Sequence, residues 1–420
     1  MPARPVAENA PDWLAAREAA ALLGVSLPTL YSYVSRRLLH PAVQAGARGK
    51  RYRRSEVERL KRRHEVARRP RGVAGTALDF GLPVLESSLC LIEQDRIYFR
   101  GQDALRLAER ATLEDVAALL WDVPRGELPG DAPPLSRRTR AALARHAALP
   151  WPRRLLAGYH EVAAEWAPAL AGAAPASAGW HCVQAMGTAA TARPKARGAL
   201  PVHEWLQHAW GLPDSAADEL RHALVLCADH EFNVSSFTAR CAASAGAEID
   251  VAVGAALAAL SGERHGGLVL RVEALGPSID ATRGRAASLQ RWLASQPSPP
   301  PGFGHRLYPQ GDPRGCALLA RLPADRVRKR LVDAVREWHG QGPTIDFGLV
   351  ALCRALGAPS GAAFALFAIA RTVGWVAHVL EQQRQAVLIR PRAAYVGLRP
   401  ATSAAGALAG TGVGRIIRQR

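Results

Sequence analysis

The sequence predicts a mainly α-helical protein. A small basic helix-turn-helix unit spans residues 1–67, a linker 68–79, and a long helical region 80–420. Three observations predict this. Ala and Leu recur at helical spacing through residues 100–390, with few alternating stretches. Near the N-terminus, Gly24 and Ser26 separate two short segments with apolar faces, the pattern of two helices around a tight turn. The stretch RRPRGVAG (68–75) has Pro, Gly and charge but little to bury, so it reads as a linker.

In the first unit, Glu18 to Leu23 forms a short helix and Gly24 the permissive turn. Ser26 is suited to cap the next helix, and Pro28 falls in the first turn, where a missing N–H costs little. Leu30, Tyr31 and Val34 then recur at helical spacing. Arg48 to Arg54 reads as a basic wing, and Ser55 caps a third helix running to about His64. Charge is concentrated here. Of a net +18 for the chain, residues 36–71 carry 14 Lys and Arg against 3 acids. Composition bias produces many arginines but does not cluster them, so the patch implies a polyanion: DNA, RNA or phosphate groups. The order EAAALLGVS, LYSYVSRRLL, RYRRSEVERL resembles the MerR-like or excisionase-like winged helix over about residues 12–65. That resemblance implies that Thr29, Tyr31, Ser32, Arg36, Arg51, Arg53 and Arg54 face DNA.

After the linker, LCLIEQDRIYF (89–99) predicts a hairpin around Gln94-Asp95. APALAGAAPASAG (167–179) reads as a loop, and so does the Pro-rich SQPSPPPGFG (295–304). With 420 residues, 49% hydrophobic and 21% charged, the chain has two to three domains and is not globally disordered. No window approaches 18 consecutive apolar residues free of charge, and MPARPVAENAPDW lacks a signal-peptide core, so no membrane partner is expected. Six scattered cysteines without a CxxC pair argue against a disulfide framework or a metal site and for a cytoplasmic setting.

The long region holds the residues capable of chemistry. Histidines occur in ADHEFNVSSFTAR (228–240), SGERHGG (261–267) and PGFGHRLYPQGDPR (301–314). His265 and His305 follow loops beside glycines, which let backbone approach a ligand closely. Asp346 in GPTIDFGLVAL has apolar neighbours on both sides, a setting that raises a carboxylate's pKa and makes it a stronger base. Arg314, Arg371 and Arg390 stand in GDPR, FALFAIARTVGWVAH and LIRPRAAYVG. An arginine among Phe364, Phe367 and Trp375 is costly to bury unless it meets an anion. Three arginines could hold a di- or tricarboxylate.

These motifs, in this order from about Leu82 to Gly397, resemble the citrate synthase family. The resemblance implies a two-domain helical fold, with a mobile small subdomain at about 265–359, and a homodimer. It implies a transferase that condenses acetyl-CoA, or another short acyl-CoA, with oxaloacetate to give citrate or 2-methylcitrate. No permanently bound cofactor is implied; acyl-CoA is a co-substrate. His265, His305 and Asp346 match the catalytic groups. Of these, Asp346 is the base, His265 the donor to the enolate oxygen, and His305 the group that polarises the oxaloacetate carbonyl. His230, Asn233, Arg314, Phe367, Arg371 and Arg390 match the substrate-binding set, with Arg390 arriving from the partner subunit. Phe99 stands where the family usually has tyrosine, and Leu268 follows the HGG motif where a smaller residue is usual. The fused basic unit raises a second expectation: a metabolite-sensing DNA-binding regulator that keeps the same fold. A pure sensor has no need of Asp346, so its presence favours catalysis.

Overall fold

The structure is a computed structural model that describes residues 13–35, 39, 41, 50–54, 56–58, 60–61, 85–129, 131–193, 200–308, 310–393 and 396–398. Leu85–Arg390 forms one compact unit, and the described N-terminal residues belong to another. The linker expected at 68–79, Arg36 with its expected DNA contact, the expected Ser55 cap and the end of the third N-terminal helix lie outside the described residues.

In the N-terminal unit, helices Ala16–Leu23 and Leu27–Ser35 flank the turn. Gly24 sits at φ 65° and closes the first helix by donating to the carbonyls of Ala20 and Ala21. The Ser26 hydroxyl accepts from Thr29 N–H at 3.4 Å, as expected of a cap. The wing strand Arg51–Arg53 pairs antiparallel with Trp13–Ala15, placing Leu14 opposite Tyr52. The Trp13–Ala15 strand was not expected; three residues are too few to show a period. Residues 56–58 and 60–61 are helical. Leu14, Ala19, Leu23, Leu30, Tyr52 and Val57 make a separate buried core, so this unit has its own packing.

The larger unit opens with the expected hairpin, Cys90–Glu93 against Arg96–Phe99. Gln94 and Asp95 both take positive φ, 51° and 58°, which matches the twist of a two-residue hairpin. A short third strand, Gln102–Asp103, extends it. Helices follow almost without interruption. The loop expected at 167–179 is much shorter: a helix runs through Leu170 and the next begins at Pro175. Alanine is a strong helix former, and proline at the first helical position starts a helix rather than breaking one. The 295–304 tract is non-helical, as expected.

The centre of this unit is the helix Ala362–Gln385, buried from Ala362 through Gln382. By length and composition it could cross a membrane, but its apolar stretch is wholly buried in the protein, as in a core helix. Helices Leu113–Trp121, Pro175–Thr191, Ala216–Cys227, Val234–Ser244 and Ile249–Leu260 pack around it. Gly374 admits the neighbouring segment: its N–H donates to Ala228 O, and a β-carbon there would lie 2.5 Å from an Asp229 carboxylate oxygen. Residues 227–235 thereby lie along the central helix.

Candidate active site

Burial, hydrogen bonds and electrostatic contacts bring His230, His265, His305, Arg314, Asp346 and Arg371 into one neighbourhood. Arg371 is 1% exposed on the central helix. Its Nε donates to Cys227 O at 2.9 Å and its guanidinium lies 5.0 Å over the Phe367 ring. Among the described residues, its Nη2 is buried without a hydrogen-bond partner. Arg314 stands in the first turn of the helix Pro313–Arg321, where Nε and Nη2 hold both oxygens of Asp312 at 3.0 and 2.7 Å. Its Nη1 is likewise buried and unpartnered. A desolvated guanidinium N–H that lacks an acceptor is costly, so two of them mark a place for an anion.

The three histidines are neutral at physiological pH. Burial and the nearby Arg314 and Arg371 hold His230 well below the usual imidazole range. Burial, reinforced by Arg371, lowers His265 to about 3. Burial also depresses His305, opposed by Asp312. The His305 ring meets His230 edge to face at 5.6 Å, and its Nδ1 accepts from Leu307 N–H at 3.2 Å. A neutral imidazole accepting at Nδ1 carries its proton on Nε2, so His305 presents Nε2–H. His265 Nε2 lies 2.8 Å from Ser235 Oγ, leaving Nδ1 for a ligand.

Asp346 enters from the first turn of the helix Ile345–Leu356 and accepts from the Thr344 hydroxyl at 3.0 Å. Burial raises its pKa to about 6 despite that bond. It is therefore ionised at neutral pH yet more basic than an ordinary aspartate. Neutral histidines, two unsatisfied guanidinium groups and a basic carboxylate suit abstraction of a carbon-bound proton next to a bound dicarboxylate.

Asn233 caps the helix Val234–Ser244, its Oδ1 accepting from Ser235 N–H, Ser236 N–H and the Ser235 hydroxyl. It thus holds the serine that contacts His265. Phe367 is the platform under Arg371. Arg390 lies exposed beyond the central helix, and no contact ties it to the buried cluster among the described residues. Ser235, Tyr308, Asp312 and Thr344 were not singled out in the sequence, and Trp375 was named only as an apolar neighbour of Arg371. Trp375 Nε1 donates to Ser235 Oγ at 3.0 Å. Of these, only Asp312 carried a usable signal, a carboxylate two residues before an arginine.

A family model described as "Citrate synthase, C-terminal domain" matches residues 78–392, three quarters of the chain. The chain belongs to the citrate synthase family. A second model, "Helix-turn-helix domain", matches residues 13–65. A protein named citrate synthase 2 from Bacillus subtilis is 35% identical over 185 residues, 42% of this chain and 50% of that protein. The chain thus spans about half the length of such curated relatives. A 2-methylcitrate synthase from Mycobacterium tuberculosis is 28% identical over 365 residues, 78% of this chain and 90% of that protein. The crystal structure of citrate synthase from Thermotoga maritima superposes with a TM-score of 0.61 at 25% identity, covering 76% of this chain and 95% of that one.

In the N-terminal unit, Tyr31 is 49% exposed and Arg53 is exposed, stacked 5.2 Å over Trp13. Thr29, Ser32, Arg51 and Arg54 are half-buried. Arg54 pairs with Glu58 at 3.6 Å.

Proposed function

We propose that the chain condenses a short acyl-CoA with oxaloacetate. One observation carries this reading: among the described residues, Arg314 Nη1 and Arg371 Nη2 are buried without acceptors beside three neutral histidines and a basic carboxylate. Oxaloacetate supplies carboxylate oxygens for those donors, with His230 and, from a partner subunit, Arg390 completing the set. Asp346 takes a proton from the acyl α-carbon. His265, its Nε2 2.8 Å from Ser235 Oγ, donates to the enolate oxygen that forms. The α-carbon attacks the oxaloacetate carbonyl, polarised by His305 Nε2–H. Water then cleaves the thioester and releases CoA thiol. A mobile subdomain over about 265–359 closes on the substrates and excludes water. Six free cysteines suit a reducing cytoplasm.

The test is thiol release with oxaloacetate and acetyl-, propionyl- or butyryl-CoA. Turnover with acetyl-CoA gives citrate, and faster turnover with propionyl-CoA gives 2-methylcitrate. No release with any of the three, from a protein that binds oxaloacetate, sinks the catalytic reading. A second reading rests on the separate N-terminal core and its basic wing: the chain is a metabolite-sensing regulator that binds duplex DNA and keeps the citrate synthase fold.

A further inference from the structure

Tyr308 is 1% exposed and touches two of the three site histidines. Its ring stacks on His305 with centroids 5.2 Å apart and planes 27° apart. Its hydroxyl lies 3.1 Å from His230 Nε2. The His305–Tyr308 turn is closed by Tyr308 N–H donating to His305 O at 2.9 Å, so the two rings are held in register by the backbone as well.

We propose that Tyr308 is a positioning residue: its hydroxyl donates to His230 Nε2 and selects the Nδ1–H form of that ring, while its face fixes the plane of His305. The chemistry sets the direction of the bond. Burial raises Tyr308 above the usual phenol range, so it keeps its proton. Among the described residues, His230 Nε2 is the partner its hydroxyl meets. His230 is neutral and has one proton to place. With Nε2 accepting, that proton sits on Nδ1, and the ring turns a donor to its other side. Arg314 and Arg371 lie close enough to depress His230, so an anion drawn to them comes near that ring. His305 has its own tautomer set by Leu307 N–H, and Tyr308 adds only its orientation. The consequence for substrate rests on the reading of the cluster as an oxaloacetate site. The tautomer does not.

The experiment uses the full chain with 15N-labelled histidine, free of substrate. Long-range proton–nitrogen spectra distinguish a pyrrole-type from a pyridine-type ring nitrogen, and the His230 signals are assigned by their loss in His230→Gln. In the unsubstituted protein, His230 should show a pyrrole-type Nδ1 and a pyridine-type Nε2. A protonated Nε2 there overturns the proposal without any Tyr308 variant, so it does not depend on one folding. In Tyr308→Phe, which keeps the stack, the His230 tautomer should become mixed or invert while the His305 signals stay in place. In Tyr308→Leu both histidines should shift. An unchanged His230 tautomer in Tyr308→Phe also overturns it. In thiol release, Tyr308→Phe should raise KM for oxaloacetate about fivefold, the scale of one hydrogen bond, with a smaller change in kcat. The expected tautomer without any turnover would uphold the positioning role and remove the oxaloacetate reading.

Discussion

Gly348 packs against Gly315 so closely that a β-carbon on Gly348 would stand 2.9 Å from the Gly315 Cα. This contact lets the helices Pro313–Arg321 and Ile345–Leu356 meet backbone to backbone. Arg314 and Asp346, one residue from Gly315 and two from Gly348, are brought within electrostatic reach as a result. Gly348→Ala should force the helices apart. Both elements carry site residues, so activity should fall further than stability. We expect kcat/KM to drop about 10–100-fold, in keeping with the sensitivity of positioned groups to small displacements. Thermal melting and thiol release on the same preparation check this. Equal losses in both, or none, would show that the contact does not position the pair.

Asp346→Asn should abolish turnover yet stabilise the fold. Loss of a general base typically costs about 10²–10⁴-fold. Asn keeps an acceptor for the Thr344 hydroxyl. Burial raises Asp346 to about 6 in the folded protein, while the unfolded chain titrates near 3.8. Stability therefore falls as pH rises from 4 to 6, because the folded state resists losing the proton. Above pH 6 the penalty is constant at about 3 kcal/mol. The neutral variant escapes it. Its melting temperature should exceed that of the parent at pH 7–8 and match it near pH 4. Oxaloacetate binding, read by calorimetry, should persist.

The pH dependence of turnover should show one acid limb. If Asp346 is the base it must be ionised to act, so kcat/KM should fall about tenfold per unit below pH 6 and level off above it. His265, held at about 3, does not change charge between pH 5 and 8. His230 and His305 are depressed as well. A limb of slope two in that range would mean that a histidine titrates with the carboxylate, against the neutral-histidine arrangement.

What could be read in the sequence follows the range of the interactions. His265 and His305 were legible because each stands beside glycine after a loop, and Asp346 because a carboxylate between apolar neighbours is chemically unusual. Arg371 was legible because a charge inside an apolar helix demands a reason. Ser235 and Tyr308 were not, because their importance comes from contacts made only in the folded chain; Ser235 lies 30 positions from His265 and Tyr308 78 from His230, whereas Thr344, two positions from Asp346, was within local range and was missed. The hairpin at Gln94-Asp95 is a local device and was read from its own residues. The Ala-Pro run at 167–179 was misread as a loop because its prolines read as breakers; Pro168 lies inside the first helix and Pro175 starts the second.

The N-terminal unit should bind duplex DNA with steep salt dependence. Arg51 and Arg53 lie on the wing strand, and Tyr31 is exposed on the second helix. Arg51→Ala with Arg53→Ala removes two cations while Tyr52, buried between them, keeps the wing packed. If both contact phosphates, gel-shift titrations should show weaker binding across sequences, and the slope of log affinity against log salt should shrink by about 2. An unchanged slope would move the DNA contact elsewhere. Absence of binding to a random genomic pool would remove DNA from the function.

Arg390 offers a test of whether the site is shared between subunits. It lies exposed beyond the central helix, outside its own chain's buried cluster, while Arg314 and Arg371 leave donors unfilled there. If Arg390 completes the anion site of a partner, then Arg390→Ala and Asp346→Asn each inactivate both sites of their own dimer. In a mixed dimer, one site collects both defects and the other collects neither. Mixing and refolding at equal amounts should place about half of the dimers in the mixed form, so roughly a quarter of site activity should return. Mass spectrometry on the intact assemblies confirms that mixed dimers are present. Recovery is expected because an arginine supplied from outside leaves the carboxylate it holds unpaired in a partly dry site when it is lost, and one intact pairing suffices to restore it. Mixed dimers without recovery would confine Arg390 to its own subunit or place it outside any site.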